Sequence, residues 1–283
     1  MFFRAVSVCI AIIVTIPLIA GTNSNDYRPE FRIPTDPTIT VHYGLSELSL
    51  DEFEYPFGSP GMIGLHLGFS RIDRLNDEAR IINFMSRYVS VDYISTGLGE
   101  GAGTGEFASA VWRFGLAGDN GYGYRLSSSS SMPSLILSHG NGLTWSQVDF
   151  DRPETLTPDE FRTDRFESGL RFGSMTEAGL MFQISNTLTL NASFERSIVY
   201  ERHLFWKSLG SKIIESAVQR IVDRFVDRIF ESSPAAGPVV NFLLKNGLAY
   251  GIYELRRSDM NWPFDTAPPL HHDSFKFGVT FIL

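Results

Sequence analysis

Ser274-Phe275-Lys276-Phe277-Gly278-Val279-Thr280-Phe281-Ile282-Leu283 closes the chain. Phe275, Phe277, Val279, Phe281 and Leu283 share one parity, and Ser274, Lys276, Gly278, Thr280 and Ile282 share the other. Successive side chains of a strand leave on opposite faces, so this segment reads as a strand with one apolar, aromatic-rich side. The same period of two recurs upstream. Ile39, Val41, Tyr43 and Leu45 form one apolar face, and Ile63, Leu65, Leu67 and Phe69 form another. Val89, Val91 and Tyr93 repeat the pattern, as do Trp112, Phe114 and Leu116, then Tyr122, Tyr124 and Leu126. Ala178, Leu180, Phe182 and Ile184 lead through Ser185-Asn186-Thr187 into Leu188, Leu190, Ala192 and Phe194, a hairpin signature.

The other end of the chain bears on compartment. Met1 to Arg4 is positively charged, residues 5–20 are uncharged and mostly apolar, and Asn23 opens a polar stretch. That is the layout of a secretory signal peptide, here assigned to residues 1–21, with residues 22–283 as a single domain. Cys9 is the only cysteine and falls inside the signal, so the mature chain cannot rely on disulfides. It must stand on its own core or on a sheet closed upon itself. No later segment runs to the ~18 apolar residues of a membrane helix. Loss of the signal removes Arg4, leaving 23 basic against 32 acidic residues. An acidic balance argues against nucleic acid as a partner.

Periodicity alone does not choose between a soluble sandwich and a membrane barrel, because both alternate. The non-apolar face is rich in glycine (Gly64, Gly68, Gly115, Gly123, Gly169), as a closely curved wall requires. Aromatics crowd the apolar face, and long connections take turns with short ones. With the signal and the terminal strand, these features resemble the porin-like β-barrel proteins of Gram-negative outer membranes. The resemblance implies a closed antiparallel transmembrane β-barrel and surrounding membrane lipids. It also implies recognition by the outer-membrane assembly machinery through Phe275, Phe277, Val279, Phe281 and Leu283. Leu283 departs from the terminal Phe or Trp common in that class.

Strand number follows from turn signals. Asp119-Asn120-Gly121 and Gly140-Asn141-Gly142 each read as a turn, and residues 166–172 as a strand of their own. With the terminal strand the segments are odd in number, whereas single-chain barrels have even numbers, so about ten strands are expected, with twelve as the alternative. Residues 201–273 break the alternation. Ile213-Ile214, Ala217-Val218, Ile221-Val222, Phe225-Val226 and Ile229-Phe230 recur every four residues, an amphipathic helix ended by Ser232-Ser233-Pro234. Residues 239–255 read as a second helix, although the second half would serve as a twelfth strand. This helical insert, at about residues 205–256, has three possible places. It would plug the lumen, lie at the bilayer interface, or stand as a partner-binding hairpin.

His66, Arg113, Arg125, Glu167, Arg171 and Glu195 fall at lumen-facing parity. In an open pore they would set ion preference; in a narrow or plugged one they would pair internally. The second is preferred, because a small barrel leaves little room. Ser138-His139-Gly140-Asn141-Gly142 invites comparison with the outer-membrane phospholipase pattern His-x-Ser-Asn-Gly, but Asn141 stands at the serine position. Ser138 and His139, being adjacent on a strand, would point to opposite faces, and His139 reads as a turn or rim residue. His271-His272-Asp273 lacks a third spaced ligand and reads as a solvated loop. No catalytic residue, metal site or cofactor is therefore expected. The expected function is non-enzymatic: a narrow or plugged channel, or a structural or surface-interaction protein. An outer-membrane lipid acyl hydrolase and a soluble exported β-sandwich binding protein are the alternatives.

Overall fold

The computed structural model describes residues 34–51, 53–76, 80–127, 133–153, 163–167, 169–201 and 205–283; the signal assigned to 1–21 lies outside them. These residues form eight antiparallel strands that close in chain order. They are β1 (Asp36–Leu50), β2 (Gly61–Asn76), β3 (Ile81–Ser95), β4 (Ala108–Arg125), β5 (Ser134–Asp151), β6 (Arg171–Ser185), β7 (Leu188–Val199) and β8 (Leu270–Ile282). β8 pairs with both β7 and β1, so no sheet edge is left and no two-layer sandwich forms. The barrel has eight strands, not ten or twelve. Its even number puts both ends of the strand ring together, where the Leu283 amide donates to the Pro37 carbonyl at 2.9 Å.

The excess strands came from glycines taken for turns. β4 runs straight through Asp119-Asn120-Gly121, and β5 straight through Gly140-Asn141-Gly142. The two motifs face each other in the wall, with Asp119 opposite Gly140 and Gly121 opposite Ser138. A Cβ on Gly140 would fall 2.3 Å from the Asp119 carboxylate, and one on Gly121 would fall 2.1 Å from the Leu137 carbonyl. The glycines make room inside a tightly curved wall. The strand expected at 166–172 also dissolves. Asp164–Glu167 is a short helix, α1, and β6 begins at Arg171.

The wall is two-sided. Val41, Tyr43, Leu45, Leu65, Phe69, Trp112, Phe114, Leu180, Phe277 and Phe281 point outward and are exposed, whereas Ser70, Ser90, Asp92, Arg113, Glu195 and Lys276 point inward and are buried. A soluble monomer seldom exposes an apolar patch beyond a few hundred Å². This belt draws on every strand except β5 and calls for an apolar surrounding medium.

The long connections gather at the end away from the termini, and their aromatics fold into that mouth. Phe53 and Phe57 stack at 5.2 Å, Phe53 meets Phe107 at 5.3 Å, and Phe57 meets Phe150 at 5.5 Å. Leu48, Leu50, Ile94, Val111, Val148 and Phe166 complete an apolar cork. Leu48, Ile94 and Val148 are inward residues, so near this mouth the inside of the wall is apolar as well.

The insert is a helical hairpin, α2 (Phe205–Ser232) and α3 (Gly237–Leu255); residues 248–255 are helix, not a strand. It does not fill the lumen. It lies on the outer wall. The Asn246 amide of α3 bonds outward-facing His139 at 2.9 Å, and the Tyr124 hydroxyl donates to the Ala235 carbonyl at 2.7 Å. Outward-facing Arg196 lies over the rings of Tyr250 (4.1 Å) and Tyr253 (5.1 Å). Phe230 meets Tyr122 at 4.5 Å, and Val226 and Phe230 bury Ile81 at the end near the termini. The hairpin therefore runs down the wall and back. Gly237 permits the reversal, because a Cβ there would fall 2.2 Å from the Phe230 ring. Among the described residues no helix is long and apolar enough to cross a membrane, a statement that does not concern strands.

Candidate functional site

The polar residues of the inner wall meet at mid-height. Asp92 on β3 stands directly opposite Arg113 on β4, and Glu177 on β6 directly opposite Glu195 on β7. The first pair attracts; the second repels, since like charges face each other across one ladder. Two cations resolve the conflict. Lys276 of β8 donates to Glu177 at 2.6 Å and to Glu195 at 2.7 Å. Arg113 donates through Nε to Asp92 Oδ2 at 3.0 Å, and reaches across the lumen to both oxygens of Glu195, Nη2 to Oε2 at 3.2 Å. Its Nη1 also donates to Ser197 at 3.2 Å.

Asp92, Arg113, Glu195 and Lys276 are each at most 3% exposed. A buried ion costs several kcal/mol unless it is paired, and each of these has at least one partner of opposite sign. The guanidinium spans opposite sides of the ring, so this layer ties the barrel across its middle. Asp119 forms a second tier, accepting from Ser86 at 3.0 Å and from the Tyr88 hydroxyl at 3.4 Å. Beneath lies a cavity of about 70 Å³ lined by His42, His66, Tyr88, Asp119, Glu177 and Lys276 among others. It is lined mostly by polar residues and has room for a few waters. The cork lies above.

The structure brings three of the six expected lumen residues to this centre: His66, Arg113 and Glu195. Arg125 is inward and buried, but at the far end of β4 near the Arg80 turn. Arg171 sits at the opposite mouth, donating to the Glu201 carbonyl at 2.9 Å. Glu167 is not a lumen residue. It lies on α1, where its side chain accepts from the Phe150 amide at 3.0 Å and pairs with Arg152. Reading 166–172 as a strand had given it the wrong parity.

Sequence reasoning missed His42, Asp92, Glu177, Asp119 and Lys276 as members of the site. Their inward parity was visible, and Asp92, Arg113, Glu195 and Lys276 share it with opposite signs. What alternation does not show is which strands meet across the lumen.

The histidine motifs come apart. Ser138 points inward and His139 outward against α3, so His139 is neither a turn nor a rim residue. His271 packs outward on Tyr253 at 5.0 Å, and Asp273 accepts from Tyr253. His272 turns inward, where its Nε2 lies 3.1 Å from Ser274 Oγ. They are not a solvated loop; His271 and His272 are buried in β8. The Ser274–His272 pair sits sealed beneath the cork, at 1% and 3% exposure, away from any substrate.

No protein-family model matches the chain, and no curated protein matches it. Among solved structures, the chain is similar to Neisserial surface protein A at 8% identity and a TM-score of 0.37, over 87% of this chain and 97% of that one. It is also similar to Ail, the attachment invasion locus protein of Yersinia pestis, at 9% identity and a TM-score of 0.32, over 89% of this chain and 100% of that one.

Proposed function

We propose that the chain is a non-enzymatic outer-membrane barrel of a Gram-negative bacterium whose lumen is sealed, so that it works through its surface as a structural or interaction protein and not as a channel. The observation that carries this is the filled cross-section: the Asp92–Arg113–Glu195–Lys276 layer under an aromatic cork. The compartment follows from three features together. A closed barrel leaves no backbone group unpaired in lipid. Its outward belt is apolar. The sequence pattern at residues 1–21 is that of an export signal. The terminal strand, with Phe275, Phe277 and Phe281 outward, is the element the outer-membrane assembly machinery reads in this account.

Purified protein in planar lipid bilayers tests the sealing. The expected trace is the baseline of the bare membrane. Regular stepwise conductance from the wild-type chain contradicts a sealed lumen and supports the narrow-channel reading.

A further inference from the structure

His42, His66 and Asp92 stand on the inner wall of three consecutive strands. Gly64 of β2 lies between His42 and Asp92, directly opposite each in its two ladders. Both side chains lean over it: a Cβ at Gly64 would fall 2.1 Å from Asp92 Oδ1 and 2.3 Å from His42 Nε2. The space above this glycine is therefore a built recess. His42 Nε2 lies 3.2 Å from Asp92 Oδ1, and His66 Nε2 lies 4.0 Å from the same oxygen. The three donor atoms all lie within 4.8 Å of one another. Ligand atoms of a tetrahedral zinc ion, with bonds of about 2.0–2.1 Å, are about 3.3 Å apart. One edge already has that length, and small side-chain rotations bring in the third donor.

Two of these atoms, His42 Nε2 and Asp92 Oδ1, face each other in an ion pair without hydrogen-bond geometry, and have no further hydrogen-bond partner among the described residues, although the residues are only 4% and 1% exposed. A buried contact so poorly directed satisfies neither group fully, and an ion between the two atoms would satisfy both. The surroundings orient the set. Asp92 gives its other oxygen, Oδ2, to Arg113, which leaves Oδ1 aimed at the imidazoles. The His66 ring stacks on Tyr88 at 4.3 Å and 9°. Charge agrees as well. Around Asp92 the carboxylates of Asp92, Glu177 and Glu195 face the cations of Arg113 and Lys276, one negative charge in excess.

We propose that His42, His66 and Asp92 form a binding site for one divalent transition-metal ion of the zinc class. Two imidazoles and a carboxylate suit Zn²⁺, whereas Mg²⁺ and Ca²⁺ prefer all-oxygen sets. The ion would hold β1, β2 and β3 together at mid-height and leave its remaining position toward the cavity below.

The test uses the full mature chain, folded in detergent micelles, stripped with EDTA and checked by heat-modifiable mobility. It is titrated with Zn²⁺ by calorimetry and with Co²⁺ by visible absorption. One ion per chain is expected, with Co²⁺ bands of a low-coordinate nitrogen–oxygen site. His66 makes no hydrogen bond in the network, so His66→Ala should fold and bind about 100-fold more weakly, since even outer-sphere losses cost 10–100-fold. If His66→Ala loses the folded band, His66→Gln is read in its place. His271→Ala is expected to leave binding unchanged. Absence of uptake by folded wild-type protein, binding unaltered in the His66 variant, or binding abolished by His271→Ala overturns the proposal. The first of these would leave His42 and Asp92 as an ordinary internal ion pair.

Discussion

Arg113→Ala is expected to destabilise the folded barrel by about 3–5 kcal/mol, the range for breaking a buried pair and stranding its partners. Arg113 joins the β3–β4 side of the ring to β7: it meets Asp92 on its own side and Glu195 across the lumen. Removing it leaves Asp92 facing the two histidines and Glu195 dependent on Lys276 alone, which already serves Glu177. Urea unfolding in vesicles, followed by the heat-modifiable band and tryptophan emission, measures the loss. Glu195→Gln should cost less, because Arg113 keeps Asp92 and Lys276 keeps Glu177. An Arg113→Ala barrel as stable as wild type would mean that the layer contributes no cross-lumen tie.

Val41→Arg is expected to cost about 2–4 kcal/mol, the range for a basic residue at the bilayer midplane of an outer-membrane barrel. Val41 faces outward and is 46% exposed, with Leu65 and Val279 beside it in the two ladders. On a soluble protein such an exposed change would fall within about ±0.5 kcal/mol. The two environments therefore differ by several kcal/mol at one position. Glu47→Arg is the control, three outward positions further along the same face of β1 and beyond the apolar belt. It should leave stability nearly unchanged. Equal, small effects at both positions would place the belt in water.

Much of the fold was legible because a barrel wall obeys a period of two wherever lipid lies on one side. β1, β2, β7 and β8 show it along the lipid-facing part of each strand, and the four-residue apolar repeat of α2 announced the helical insert equally plainly. Strand number was not legible, for a local reason. Glycine next to Asn or Asp marks a turn in most sheets, but in a narrow closed wall it also marks where a neighbour's side chain or backbone comes too close for a Cβ. Asp119 against Gly140 is that second case. The place of the hairpin was hidden too. An amphipathic helix needs an apolar surface, and the outer wall and the lumen mouth both offer one. What decided it were pairs without periodicity, His139 with Asn246 and Arg196 with Tyr250.

The candidate site was half legible. His66, Arg113 and Glu195 announced themselves as polar residues of inward parity within apolar strands. Glu167 misled because a parity argument holds only inside a strand, and the chain there is a helical turn. His42 and Asp92 were overlooked although they share the inward parity; their meeting over Gly64 depends on the registers of two ladders at once.

The outward direction of the apolar face is the claim on which the rest stands. Cys9 is the only cysteine of the chain, so once it is absent a single introduced cysteine carries one nitroxide. Labels at positions 41, 65 and 277, in protein reconstituted into vesicles, should collide freely with dissolved oxygen and hardly at all with a water-soluble nickel chelate. A label at position 47 should show the reverse. Free collision with the nickel chelate at positions 41, 65 and 277 would contradict the account.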